Sequence, residues 1–478
     1  MLPPSLVRAL ADDATPDAAR RIIDLAVDFL DASRSGAGPV STALSSSQLA
    51  ARFREPMPAE GVPLEWLTQR VRDDVLSDAN HLTHPMYMGH QVSSPLPVAI
   101  WIEAVISAMN QSIAVAEMSP TATVLETQLI RWMCESLGWG SASGGTFTSG
   151  GTEATFTALL AARARAMPDA WRDGVGDDAP SVVCGEHAHY AVTRAVGELG
   201  LGMRRVISIP SRDWRMDPDA LSAALETLAA SGQRAMAVVA TAGSTATGSF
   251  DDLERIGVLC ERHETWLHVD GAHGASALLS RTHRSRMRGI QRARSVAWDP
   301  HKMMLMPLAA GMLLVRDERD LSAAFAQQAP YLFHSAPGER GWDQGTRSFM
   351  CSRRADALKL WAALQRYGSS GLAALYDHLC ETTQGLHAEI IRRGDFEALH
   401  TPESNILCFR YLGTSANESA LDALNASLRE RYNASGDGWI TTTILGGRRV
   451  LRVTIMNPHT TPSHTSRMLD TLARLAGA

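Results

Sequence analysis

The sequence predicts an α/β protein with a mainly parallel central sheet, an N-terminal helical segment and a small C-terminal α+β domain. Three observations carry this. Short apolar runs alternate with capped helices through the middle of the chain, as in parallel sheets covered on both faces. Before residue 93 the apolar spacing is helical only, and after residue 352 a few strand-like runs are separated by long helices. At 478 residues the chain is long enough for a large core and more than one domain.

Residues 1–92 open with Thr15-Pro16, a helix start signal, followed by helical spacing in "AARRIIDLAVDFLDAS" and turn residues in "SRSGAGPVST". Such an arm is expected to pack on a partner subunit. Residues 93–352 hold six buried strand candidates: "SVVCG", "RRVISIP", "AMAVVATAG", "TWLHVDGA", "SVAWD" and "GMLLVRD". Between them, "DPDALSAALETLAAS" places Asp217 as cap and Pro218 at the first helical position, and "DDLERIGVLCERH" has its own acidic start. In residues 353–478, "DALKLWAALQRYG" reads as a long helix. The runs "NILCFRYL" and "RVLRVTIMNP", with helices around "ESALDALNASLRERY" and "TPSHTSRMLDTLARLAG", then give a small sheet with helices on one side.

Composition excludes several classes. A net charge of -6 gives no reason to expect nucleic acid or an anionic membrane as partner. The N-terminus lacks an apolar signal core, and no apolar run reaches membrane-spanning length. The six cysteines are scattered without a CxxC pair, which predicts reduced thiols in a cytoplasmic protein. Histidines cluster at "GEHAHY" without a carboxylate or thiol at ligand spacing, so no metal site is expected.

Ligands of parallel α/β sheets bind beyond the carboxyl ends of the strands, and four features fall there. In "GGTFTSGGTEATFTALLAARARA", residues Ser149 to Thr152 open a helix with free N–H groups and hydroxyls, an anion cradle suited to phosphate. It is not the dinucleotide fingerprint, since no G-x-G-x-x-G is present. Asp270 closes the apolar run of "LHVDGAHG", where its ordinary role would be to cap the next loop. His189 in "HAHYAVTRA" reads, taken alone, as a satisfied core histidine. Lys302 in "SVAWDPHKMMLMP" reads, taken alone, as a lysine with its stem packed and its head in water. Together they answer one chemical need. A phosphate cradle, a carboxylate for a pyridinium nitrogen, an aromatic face and a reactive lysine are the parts that hold pyridoxal 5'-phosphate, with Lys302 as the Schiff-base lysine.

From about residue 80 to the C-terminus the chain resembles the group II pyridoxal-phosphate-dependent amino-acid decarboxylases, the family of glutamate, cysteine sulfinate, diaminobutyrate and aromatic-L-amino-acid decarboxylases. "HVDGAHG" and "DPHKMM" carry the resemblance together. It implies the fold-type I, aspartate-aminotransferase-like architecture and a homodimer with active sites at the interface. It also implies that Lys302 bonds the cofactor, that Asp270 partners the pyridinium, that His189 stacks on the ring and that Ala272 packs on the opposite face. Gly151 and Thr152 match the phosphate-binding segment, Thr245 matches a threonine of the cofactor pocket, and His301 precedes the lysine as the family expects. Asp299 departs from the pattern, since many members carry asparagine there, near the phosphate.

Tyr331, in "PYLFHSAPGERGWDQG", matches a mobile-loop tyrosine associated with protonating the substrate carbon; its ordinary role would be an aromatic anchor of a surface loop. Arg452 matches an arginine implicated in holding the substrate carboxylate, and His90 sits where other members place a glutamine or tyrosine near the substrate. The implied activity is decarboxylation of an L-amino acid to amine and CO2, with a small acidic or polar substrate of the glutamate, aspartate or cysteine sulfinate type. A diaminobutyrate- or aromatic-type decarboxylase stands as the alternative, "SRRADALKLW" looking more like the diaminobutyrate branch. An aminotransferase or carbon–carbon lyase on the same fold is the other.

Overall fold

The computed structural model describes residues 1–42, 44–325, 329–333, 340–413 and 417–477. The chain divides into two compact units. One gathers Met1–His90, Gly385–Leu399 and Cys408–Ala478; the other gathers Gln91–Gln384 and His400–Leu407.

The second of these is built on a seven-stranded sheet. Its strands are β1 (Gly144–Thr148), β2 (Ser181–Gly185) and β3 (Val206–Ile209), then, after a two-residue ladder of β4 (Ser211–Arg212) with β5 (Arg215–Met216), β6 (Ala235–Thr241), β7 (Trp266–Asp270), β8 (Ser295–Trp298) and β9 (Gly311–Val315). The spatial order is β1-β9-β8-β7-β6-β2-β3. Strands β3, β2, β6, β7 and β8 run parallel. Strand β9 is antiparallel to both its neighbours. The reason is local: the connection from β8 to β9 contains no helix to carry a crossover. All six expected strands form. Strand β1 is not among them, because its two glycines hide a strand in what reads as a loop.

The helix Gly151–Ala166 lies on this sheet. Its small residues Ala154 and Ala158 pack with Ala297, Leu313 and Val315, while Leu159 and Leu160 pack with Val182, Val239 and Trp266. Alanine on the sheet side permits close approach, which holds the start of the helix against the strand ends. Two buried ionic clusters brace the unit. Arg353 binds Glu126 bidentately at 2.7 and 2.9 Å. Lys359, fully buried, reaches Glu103 at 2.7 Å, Asp356 at 3.2 Å and the carbonyl of Ala309 at 2.6 Å.

In the other unit the helix start predicted at Thr15 is present, with Thr15 Oγ1 accepting from the Ala18 N–H at 3.2 Å. Strands β10 (Phe396–Ala398), β11 (Ile406–Tyr411), β12 (Thr441–Leu445) and β13 (Arg448–Thr454) follow in chain order, and their spatial order is β10-β11-β13-β12. The helices Glu418–Ser435 and Pro462–Ala476 are as expected; β12, with three threonines and no long apolar run, is not. Residues 86–88 join this unit through backbone bonds between Met86, Met88, Trp439 and Thr454. The long helix Ala357–Arg393 runs on past the expected "DALKLWAALQRYG", with a break at Gly368, whose φ of +68° suits glycine.

All six cysteines are free thiols, and only Cys351 is exposed. Burial pushes Cys134 and Cys184 up to about 11 and Cys260, Cys380 and Cys408 up to about 12. Among the described residues no helix is long and apolar enough to cross a membrane, and no cluster of three metal-ligating side chains occurs.

Candidate active site

The parallel strands β6, β7 and β8 end together. Thr241 and Asp270 are register partners at the ends of β6 and β7, and Asp299 follows the last residue of β8. Strand β1 ends beside them and turns through Ser149 and Gly150 into the helix Gly151–Ala166. These ends border a cavity of about 410 Å³ lined by Gly151, Thr152, His189, Thr245, Asp270, Ala272, His301 and Lys302, together with Asp299, His273 and Leu308. Eight residues singled out in the sequence thus meet at one place.

The lysine side is the more tightly organised. Lys302 Nζ lies 3.2 Å from Asp299 Oδ2. The same oxygen accepts from the Gly151 N–H at 3.0 Å and lies 3.4 Å from His301 Nε2. His301 Nδ1 accepts from the Ala310 N–H at 3.0 Å, which leaves the ring proton of a neutral imidazole on Nε2, facing the carboxylate. Burial pushes the Asp299 carboxyl up, but Lys302, His301 and the Gly151 N–H outweigh it and hold the group below the usual carboxylate range. Its Oδ1 is buried without a hydrogen-bond partner.

Opposite stand Asp270 and His189. Asp270 Oδ1 accepts from the Ala272 N–H at 3.2 Å, which fixes the carboxylate at the strand end. His189 Nδ1 accepts from the Ala191 N–H at 3.3 Å. Burial lowers the His189 imidazole below its ordinary value; Asp270 opposes this and Lys302 adds to it, so the net effect favours the uncharged ring.

The cavity fits pyridoxal phosphate on three observations. The N-cap residue Gly150 has no side chain to cap the helix, and of the first N–H groups that of Gly151 is taken by Asp299. A Cβ on Gly151 would meet the Ala272 Cβ at 2.8 Å, and Gly150 has φ +154°, so only glycines keep this cradle open. Carboxylate, imidazole and amine stand round one space in the combination that the ring nitrogen, ring face and aldehyde of the cofactor require.

Three predicted residues lie elsewhere. Tyr331 is 85% exposed and is not part of the cavity lining; positions 334–339 of its loop, with Pro337 and Gly338, lie outside the described residues. His90 and Arg452 belong to the other unit. Burial lowers the His90 imidazole and Arg452 lowers it further. Arg452 is 7% exposed, and its Nε and Nη2 are buried without hydrogen-bond partners.

Sequence reasoning missed Asp251. It reads as part of an acidic helix start, and the neighbouring Asp252 does fill that role, capping the Arg255 N–H at 3.1 Å. Asp251 instead turns inward and accepts from the Thr241 N–H at 2.7 Å and the Met216 N–H at 2.8 Å. It therefore fixes the end of β6 where the cavity-lining loop departs. No pattern within a doubled aspartate distinguishes the two.

Comparison with known proteins gives four findings. A profile described as the pyridoxal-dependent decarboxylase conserved domain matches residues 47–412. The L-2,4-diaminobutyrate decarboxylase of Rhizobium meliloti (strain 1021) is 35% identical over 88% of this chain and 84% of that protein. The acidic amino acid decarboxylase GADL1 of Xenopus tropicalis is 34% identical over 74% of this chain and 70% of that protein. Among solved structures, mouse CSAD superposes with a TM-score of 0.92 at 28% identity, covering 99% of both chains.

Proposed function

The chain belongs to the pyridoxal-dependent decarboxylase family, and we propose that within it this protein removes the α-carboxylate of a small L-amino acid with a polar side chain, a diamino acid in the first place and an acidic one in the second. The grouping of Lys302, Asp270 and His189 around one cavity carries the reaction. The order of substrates rests on the diaminobutyrate decarboxylase matching 88% of this chain against 74% for the acidic amino acid decarboxylase.

Bound in the cavity, pyridoxal phosphate supplies an aldehyde for amines and a ring that accepts electrons. The protein's residues do the rest. Lys302 Nζ is the amine that would hold the aldehyde. Asp270 places a negative charge for the ring nitrogen proton, and this charge needs no reorganisation because the Ala272 N–H already holds it. His189 and Ala272 line the space that the ring would fill. The start of the helix at Gly151 and Thr152 would take the phosphate end, and Thr245 and His301 line the same cavity. Arg452, whose unpaired buried guanidinium is suited to a carboxylate, takes the substrate carboxylate, with His90 beside it. Tyr331 Oη returns a proton to the substrate α-carbon.

The same reading makes the protein a cytoplasmic homodimer. It rests on the free, mostly buried thiols and on the exposed apolar residues Leu6, Val7, Leu10, Ile22 and Ile23 of the N-terminal helices. The deciding measurement is CO2 release from single amino acids of diamino, acidic, sulfinic, aromatic and branched type, with the amine assayed in each case. Stoichiometric amine from 2,4-diaminobutyrate supports the first substrate class, and from glutamate, aspartate or cysteine sulfinate the second. Keto-acid or aldehyde products without CO2 would replace the reading by an aminotransferase or a carbon–carbon lyase.

A further inference from the structure

The loop that leaves Lys302 closes beside it. His301 N donates to the Ala310 carbonyl at 3.1 Å, and the Ala310 N–H donates to His301 Nδ1 at 3.0 Å. Within this loop Met303 to Met306 are buried, whereas Leu308 is 60% exposed and lines the cavity. Leu308 therefore stands where the cavity opens. One buried ammonium fixes its backbone. Lys359 Nζ donates to the carbonyls of Pro307 at 3.3 Å and Ala309 at 2.6 Å, the residues on either side of Leu308. The ammonium is itself held by Glu103 at 2.7 Å and Asp356 at 3.2 Å. Hydrogen bonds from a charged donor are stronger than neutral ones, so the tip of the loop keeps its place.

We propose that Leu308 sets the length of substrate side chain that the site accepts, and that Lys359 is a positioning residue that holds Leu308 in place for it. This rests on the substrate reading proposed above and adds a length to it. A branched apolar side chain fixed at the opening packs on the methylene groups of a short substrate side chain and occupies the room that one more methylene would need. The shorter member of each polar class is thus preferred, 2,4-diaminobutyrate over ornithine and aspartate over glutamate. Without Lys359 the two carbonyls lose their shared donor, the tip of the loop shifts, and the limit on length relaxes.

The test compares the two amino acids of a length pair on the same cofactor-loaded full-length protein. It reads the ratio of their kcat/KM values. It also reads the ratio of dissociation constants of the matching product amines, which have no α-carboxylate to lose, from the change they cause in the cofactor's absorption. The wild type is expected to favour the shorter member in both. Leu308→Ala should move both ratios about tenfold toward the longer member, the usual worth of a methylene in a fitted pocket. Lys359→Met should move them the same way by a smaller factor, and should add little to Leu308→Ala in the double variant. Any loss of folded protein in Lys359→Met lowers both rates alike and leaves their ratio alone, so the ratio reads position and not stability. Unmoved ratios in Leu308→Ala would overturn the proposal, even if Lys359→Met fails to fold. So would a Leu308→Ala protein whose mass in light scattering changes while the ratios stay, since Leu308 would then serve a subunit interface. Ratios moved by Leu308→Ala but not by a folded Lys359→Met would overturn the role of Lys359. If no amino acid loses CO2 and no amine alters the cofactor's absorption, the substrate reading itself falls, and the proposal with it.

Discussion

Lys302 and Lys359 differ in what answers their charge. Both are single lysines in apolar surroundings, in "DPHKMM" and "DALKLW", and sequence alone treats them alike. Lys359 has two carboxylates and a carbonyl within 3.2 Å, so its charge is matched inside the fold. Lys302 has one carboxylate, shared with two other donors, and opens on the cavity. The first arrangement braces a structure and the second leaves an amine to react. We therefore expect Lys302→Ala to lower turnover by at least about a thousandfold, and also to lower the melting temperature of the cofactor-free protein, because the buried Asp299 carboxylate keeps only His301 and the Gly151 N–H. Lys359→Met should instead cost about 1–3 kcal/mol of stability, as read from denaturant unfolding, by removing the buried ammonium from the Ala309 carbonyl and from Glu103 and Asp356, which keep Arg354. Appreciable steady activity in Lys302→Ala would sink the assignment. Lys302 was legible because it follows a strand in a recognised motif. Lys359 was not, because the carbonyl and the Glu103 carboxylate that answer its charge are far away in the chain.

The end of β6 depends on Asp251 as an element depends on a pin. Two backbone donors, from Thr241 and Met216, converge on one buried carboxylate, and burial pushes that group up to about 6. The sign follows from linkage. A group raised in the folded state stabilises the fold fully below its unfolded value of about 4, and that contribution is lost as pH rises through about 6. Asp251→Asn removes the titration and offers one acceptor where two are needed. We expect it to destabilise the protein by about 1–3 kcal/mol at pH 7, and to remove this group's share of the stability gained between about pH 6 and about pH 4. Unfolding curves at about pH 4.5, 6 and 7.5 for both proteins, spanning the two values, test this; a constant difference across the three would refute the titration. The cost should also appear as weaker cofactor binding, since the loop holding Gly243 and Thr245 departs from the pinned strand end. Element by element, the parallel strands were readable from their apolar runs. Strands β1 and β12 were not, since glycine and threonine replace the apolar signal there.

At the scale of the whole molecule, chain order does not reveal which segments share a unit. The reading in segments follows the sequence, whereas backbone bonds from Met86 and Met88 to Trp439 and Thr454 tie distant stretches into one body. Bonds between main-chain groups leave no side-chain pattern to find. The apolar residues Leu6 and Leu10, exposed on the first helix, are what a partner subunit would cover. Leu6→Asp with Leu10→Asp is therefore expected to shift the protein from dimer to monomer in light scattering, and an unchanged mass would remove this surface from the interface. The thiols carry a practical consequence. Five of the six cysteines are buried and held far from ionising, and the thiolate is the reactive form. A thiol reagent at neutral pH should thus count one equivalent per native chain, at Cys351, and six after denaturation. That stoichiometry makes the unaltered protein its own single-dye conjugate: a fluorophore at Cys351 can report on the molecule at work without a cysteine-free background having to be engineered first.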